Sequence, residues 1–231
     1  MTLLNWEMTP EYVLLLSDTL SLSAEDKHPQ SFMTKIFTAP HIGALITGTG
    51  IGEIITRFYL HVVSGMIVDD VVHLSEFAPE SLRMIWEEVS DRMPDGATAT
   101  IYTYGLTEEG FVGFAYRSTA DFEAEELQHG LAAKPAPELS RLAEVDGFDG
   151  FVTLAREQQA NDRALPRVDR VGIGGDLWMY LMTKGEGGGL SLRVDRVERL
   201  NHYDADHNVM LARLPENEDH PDTMAILQLD P

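Results

Sequence analysis

Thr2-Leu3-Leu4-Asn5-Trp6-Glu7-Met8, Tyr12-Val13-Leu14-Leu15-Leu16-Ser17-Asp18 and Met33-Thr34-Lys35-Ile36-Phe37, followed by Gly48-Thr49-Gly50, are the stretches on which the fold turns. In the first, Leu4, Trp6 and Met8 alternate with polar positions and share one strand face with Thr2, and Thr9-Pro10-Glu11 supplies a turn before the second. The two segments therefore read as a hairpin. The unbroken apolar run Val13 to Leu16 suits a strand buried on both faces, as in stacked sheets with helices outside them. Met33 to Thr38 and Ile42 to Ile46 read as two short strands parted by Ala39-Pro40, and the polar stretch Ser23 to Ser31, with Pro29, reads as loop.

Beyond Gly52 the period changes. Ile51, Ile54, Ile55, Phe58 and Val62 fall at helical spacing with Gly65 as a stop, and a second helix is expected from about Pro79, with Leu82, Ile85, Trp86 and Val89 as its buried stripe. Two helices in succession after several strands argue against a doubly wound sheet, where strands and helices alternate. Ala97 to Tyr104 and Phe111 to Arg117 then form a hairpin, with Thr98, Thr100, Tyr102 and Tyr104 on one face. Residues 118–149, carrying Pro135-Ala136-Pro137, read as a polar excursion with two or three short helical pieces, and Phe151 to Arg163 reads as a helix. Val171 to Thr183 and Leu190 to Leu200 flank the glycine-rich turn 185–189, and the acidic segment 201–231 reads as loop with one strand at Val209 to Leu214.

Composition narrows the function. The chain has 231 residues, 44% of them hydrophobic, enough for one sizeable core, and a single domain spanning 1–231 is expected. Its formal charge of −21 repels phosphate backbones and anionic lipid, so neither nucleic acid nor a membrane is expected as a partner. Cysteine is absent, which removes disulfides, thiolate nucleophiles and cysteine-bound zinc, so any nucleophile must be oxygen or nitrogen. With no basic region ahead of an apolar signal core and no run of eighteen uncharged apolar residues, a cytoplasmic protein is expected.

If Met1 is removed, Thr2 presents a hydroxyl for attack on a carbonyl and an α-amine to take the proton. The order Thr2, Asp18, Lys35, in strand-like settings and followed by Gly48-Thr49-Gly50, resembles the first fifty residues of proteasome-type N-terminal-nucleophile (Ntn) hydrolases. Over residues 2–65 a strand, an Asp, a strand with Lys, a strand ending in Gly and a helix follow in the family's order. The resemblance implies an α+β fold, a four-layer α/β/β/α sandwich, and an amide or peptide hydrolase that needs no cofactor or metal and assembles as a homo-oligomer. It also implies roles: Thr2 as nucleophile, its amine as base, Lys35 as the cation that disfavours the ammonium form, Asp18 as the counter-charge of Lys35, and Gly48 as an N–H donor to the oxyanion. The helical residues Phe58, Tyr59 and Trp86 offer apolar surface for assembly. Two other readings stay open: a non-catalytic assembly or scaffold subunit of the same fold, and an unrelated mixed α/β binding protein.

Two other constellations have chemical content. Asn201-His202-Tyr203-Asp204-Ala205-Asp206-His207 holds two imidazoles and two carboxylates, donors adequate for a divalent metal, but the spacing matches no zinc or calcium loop, and an acidic solvated loop is the expectation. Gly172-Ile173-Gly174-Gly175-Asp176 has the glycines of a phosphate-cradling loop, yet a strand rather than a helix follows it, so a bulge or a close backbone approach is expected.

Overall fold

A computed structural model describes residues 3–23 and 25–214. Its first hairpin joins β1 (Leu4–Met8) to β2 (Tyr12–Asp18), with Leu4 opposite Ser17 and Met8 opposite Val13. The turn is closed by the Thr9 hydroxyl, which accepts from the N–H groups of Glu11 and Tyr12 at 3.2 and 3.1 Å. A small antiparallel pair, β3 (Leu20–Leu22) and β4 (Pro29–Phe32), occupies part of the stretch expected to be loop. β5 (Ile36–Ala39) and β6 (Ala44–Gly50) follow, separated by a 3-10 turn at Pro40–Ile42, so Met33, Thr34 and Lys35 precede the strand in which they were expected.

Helix α1 (Gly52–Gly65) buries Ile54, Ile55, Phe58 and Val62, the stripe its period dictates. Helix α2 (Val71–Ser90) starts eight residues before Pro79, which lies inside it. Its start is fixed by Asp70, whose carboxylate accepts the His73 N–H at 2.7 Å as an N-cap. An interior proline costs a helix roughly 3 kcal/mol. Burial of Val71, Leu74, Ala78, Leu82, Ile85 and Val89 along one face offsets that cost, at roughly 1.5–3 kcal/mol for each large apolar side chain.

The second hairpin is β7 (Ala99–Leu106) with β8 (Phe111–Arg117). Two of the short helical pieces expected in 118–149 are formed, a 3-10 turn at Ser118–Ala120 and a single helical turn, α3 (Leu139–Leu142), and between them the chain adds β9 (Ala124–Glu126) beside β8 and β10 (Gly130–Lys134) beside β1. These strands are short, and what makes them strands is the unpaired sheet edge each meets. Helix α4 (Gly147–Ala164) leads to the hairpin β11 (Asp176–Lys184) and β12 (Leu190–Arg199). Residues 203–212 form helix α5 (Tyr203–Ala212), so the strand expected at Val209 to Leu214 is not formed: Tyr203 stacks on Phe32 at 4.4 Å and Asp206 pairs with Arg163, anchoring a helix instead.

The fold is thus α+β with antiparallel sheets, one ordered β10-β1-β2-β11-β12 and the other β5-β6-β7-β8-β9. Three apolar clusters hold it. Leu4, Trp6, Val13, Leu15 and Tyr180 of the first sheet meet Leu45, Tyr102, Tyr104 and Phe111 of the second. Phe58 of α1 and Leu82 of α2 pack with Ile46, Ile101 and Tyr116 on the second sheet. Phe151, Val152 and Ala155 of α4 pack with Leu14, Leu16 and Met179 on the first. β2 is therefore apolar on both faces, which is why its sequence runs unbroken from Val13 to Leu16. Among the described residues no helix is long and apolar enough to cross a membrane.

Candidate active site

β2 ends on two buried polar residues, Ser17 and Asp18. The Ser17 hydroxyl donates to the Leu3 carbonyl at 3.0 Å, which ties the start of β1 to the end of β2. Asp18 is the hub. Its Oδ1 accepts from Lys35 Nζ at 2.7 Å and from the Leu3 N–H at 3.1 Å, and its Oδ2 accepts from the Gly174 N–H at 3.0 Å. The Lys35 side chain is 6% exposed and that of Asp18 is fully enclosed, so neither charge is shared with solvent to any extent. Burial pushes the Asp18 carboxyl above its ordinary range, against the downward pull of the Lys35 ammonium and of the Gly174 and Leu3 N–H groups.

The backbone around Lys35 is fixed by Thr47 of β6, whose hydroxyl donates to the Lys35 carbonyl at 2.8 Å. Gly48 follows Thr47 and pairs with Ile101 of β7. A Cβ at Gly48 would stand 2.6 Å from the Thr100 carbonyl oxygen and 2.8 Å from Ile55 Cγ1, so the close approach of β7 and α1 requires glycine there. Asp18 and Lys35 are thus brought together, Gly48 is joined to them through Thr47, and Thr2 lies outside the described residues. A cavity of about 140 Å³ borders the ion pair, lined by Ser17, Asp18, Thr34, Lys35, Trp178 and Tyr180.

Gly174 was missed as a member of this constellation by sequence reasoning. The run 172–175 approaches other backbone closely: the Gly174 carbonyl accepts from the N–H groups of Thr19 and Leu20 at 3.2 and 3.0 Å, and Gly175 sits at φ 78. Asp162, at the end of α4, holds the preceding residues by accepting from Val171, Gly172 and Ile173 N–H at 2.6, 3.1 and 3.1 Å. In the Asn201–His207 group, Asn201 and His202 precede α5 and the rest lie in its first turns, where Asp206 is engaged by Arg163. Among the described residues no set of three or more His, Asp or Glu converges as a metal site.

No protein-family model matches the chain, and no curated protein matches it. Solved structures do. The Anbu (Gly-1) mutant from Hyphomicrobium sp. strain MC1 is similar with a TM-score of 0.57 and 12% identity, over 92% of this chain and 94% of that one. Anbu, described as an ancestral beta-subunit, from Yersinia bercovieri is similar with a TM-score of 0.57 and 12% identity, over 93% of this chain and 98% of that one. The likeness is one of fold.

Proposed function

We propose that the chain is a proteasome-like, N-terminal-threonine amide or peptide hydrolase. It is read as one domain with the four-layer α/β/β/α sandwich of Ntn hydrolases, a reading supported by one apolar cluster between the two sheets and one between each sheet and its helices. The observation that carries the proposal is the hydrogen bond from the Leu3 N–H to Asp18 Oδ1, the same oxygen that holds Lys35. That N–H belongs to the peptide through which residue 2 enters the chain.

In this reading Met1 is removed and the free Thr2 amine acts as base. Its ordinary pKa is about 7.7–8.0, and the neighbouring Lys35 cation disfavours the ammonium form. The hydroxyl attacks the substrate carbonyl and its proton passes to the amine. The Gly48 N–H supports the tetrahedral oxyanion, and the amine returns the proton to the leaving nitrogen as the C–N bond breaks. Water then hydrolyses the Thr2 ester. Asp18 holds Lys35 in place and touches no substrate. A peptide or small amide substrate, a cytoplasmic setting and homo-oligomers built through the helical layers complete the proposal. Mass spectrometry establishing that Met1 is absent, followed by assay on a panel of peptide and acyl-amide substrates, tests it. Activity should vanish in Thr2→Ala and survive in part in Thr2→Ser, which keeps hydroxyl and amine. Activity with Met1 attached would overturn it, because an acylated Thr2 nitrogen has no basicity.

A further inference from the structure

The geometry points to a second site, a pocket for a phosphate-type oxyanion between the β3–β4 hairpin and the C-terminal end of α4, and this inference does not rest on the hydrolase reading. A cavity of about 180 Å³ there is lined by four cationic side chains, Lys27, Arg163, Arg167 and Arg170, with His28 beside them. The chain holds only 17 Lys and Arg against 38 Asp and Glu, so four cations in one cavity are conspicuous. Arg163, Arg167 and Arg170 come from the end of α4 and the stretch after it, and Lys27 from the β3–β4 hairpin; bringing like charges together is unfavourable unless something of opposite sign offsets them.

The two carboxylates in the lining do not serve as that offset for the whole group. Asp162 is occupied by the N–H groups of Val171, Gly172 and Ile173, and Asp206 receives both terminal nitrogens of Arg163. Arg170 donates to the carbonyls of Leu165 and Arg163 at the end of α4, at 3.0 and 2.8 Å, and has no carboxylate partner among the described residues. Arg167 Nη1 lies 2.7 Å from His28 Nε2, and since an arginine can only donate, the imidazole nitrogen is the acceptor. Lys27 has no ion-pair partner among the described residues, and Arg163 Nε is buried without a hydrogen-bond acceptor. Among the described residues the lining therefore carries more cations than carboxylates, four against two.

The scaffold is set before any ligand arrives. Lys27 is held at φ 57, a left-handed conformation unusual for a residue with a side chain, by its N–H donating to the Ser23 carbonyl at 3.1 Å while the Ser23 N–H donates to the His28 carbonyl at 2.9 Å. A tetrahedral anion accepts from several directions, which suits donors supplied from two sides of a cleft. The overall charge of −21 opposes anion approach at long range, but ordinary salt screens beyond about 8–10 Å, and in the cavity itself the four cations outnumber the two carboxylates. The pocket also backs on the candidate active site: a Cβ at Gly174, whose N–H holds Asp18, would stand 3.1 Å from Arg163 Nη2.

Titration calorimetry of the full chain with inorganic phosphate is the test, with sodium chloride at matched ionic strength as control. One phosphate per chain is expected, with affinity lowered about tenfold or more in Lys27→Gln and in Arg167→Gln, since each removes a charge-assisted donor. Arg92→Gln, an exposed arginine on the other side of the chain's sheets and paired with Glu53, should leave the affinity unchanged. Both test positions lie at the pocket rim rather than in a core, and thermal unfolding in chloride verifies that the variants are folded. Heat indistinguishable from that of chloride, or phosphate affinity unaltered in both Lys27→Gln and Arg167→Gln, would overturn the assignment.

Discussion

Replacing Lys35 by Met removes one charge of a buried pair and leaves the shape of the side chain largely intact. Asp18 would keep two N–H donors, from Leu3 and Gly174, and lose the ammonium at 2.7 Å. Breaking a buried pair from one side typically costs about 3–5 kcal/mol, because the remaining charge is uncompensated. Against a total stability of about 5–15 kcal/mol this is at least about a fifth of the margin. The loss should depend on pH, and the sign follows from the direction of the Asp18 shift. Burial already pushes the carboxyl upward, and without Lys35 it rises further. The folded variant then binds a proton that the unfolded chain has released, so its stability falls as pH rises from about 4 through the raised value. Urea denaturation of both proteins at about pH 5 and about pH 7 measures this, with the larger deficit expected at the higher pH. Adding Asp18→Asn should recover at least about 1 kcal/mol relative to the sum of the single losses, since residues in one network do not add. A Lys35→Met protein within about 1 kcal/mol of the parent at both pH values would refute the account of the pair as a buried, mutually dependent unit.

Tyr104 is fully buried between the sheets and its hydroxyl lacks a hydrogen-bond partner among the described residues. Tyr104→Phe should therefore raise stability by about 1 kcal/mol, read as a higher urea midpoint at unchanged slope. Burial raises the pKa of Tyr104 and Tyr116, so the folded state keeps both phenols neutral while the unfolded chain ionises near pH 10. Their contribution is intact below about pH 10 and is lost above it at about 1.4 kcal/mol per pH unit each, so phenolate absorbance from these two should appear only together with unfolding.

Elements whose pattern is set locally were legible in the sequence. The Leu4-Trp6-Met8 alternation, the Val13 to Leu16 run, the α1 stripe and the β7–β8 and β11–β12 hairpins carry their own period and turn residues. β9 and β10 were not legible, because a three-residue Ala-Glu-Glu strand is a strand only through the edge it meets. The early start of α2 was hidden by Pro79, whose local preference was outweighed by a stripe that begins at Val71. α5 was misread because Val209 to Leu214 is apolar enough for either period, and the Phe32 and Arg163 contacts that decide it lie far away in sequence. At the candidate site, Asp18 and Lys35 were named from the order of residues, whereas Gly174 contributes a backbone N–H that leaves no side-chain signature.

The most direct test of the proposed chemistry is to trap the Thr2 ester. The protein would be mixed with an activated acyl substrate, quenched in acid during turnover and mapped by peptide mass spectrometry. The account predicts a chain that begins at Thr2, carries one acyl group on that residue, and shows no adduct in Thr2→Ala. A chain that retains Met1 while hydrolysing the substrate, or an acyl group mapped to any other residue, would contradict it.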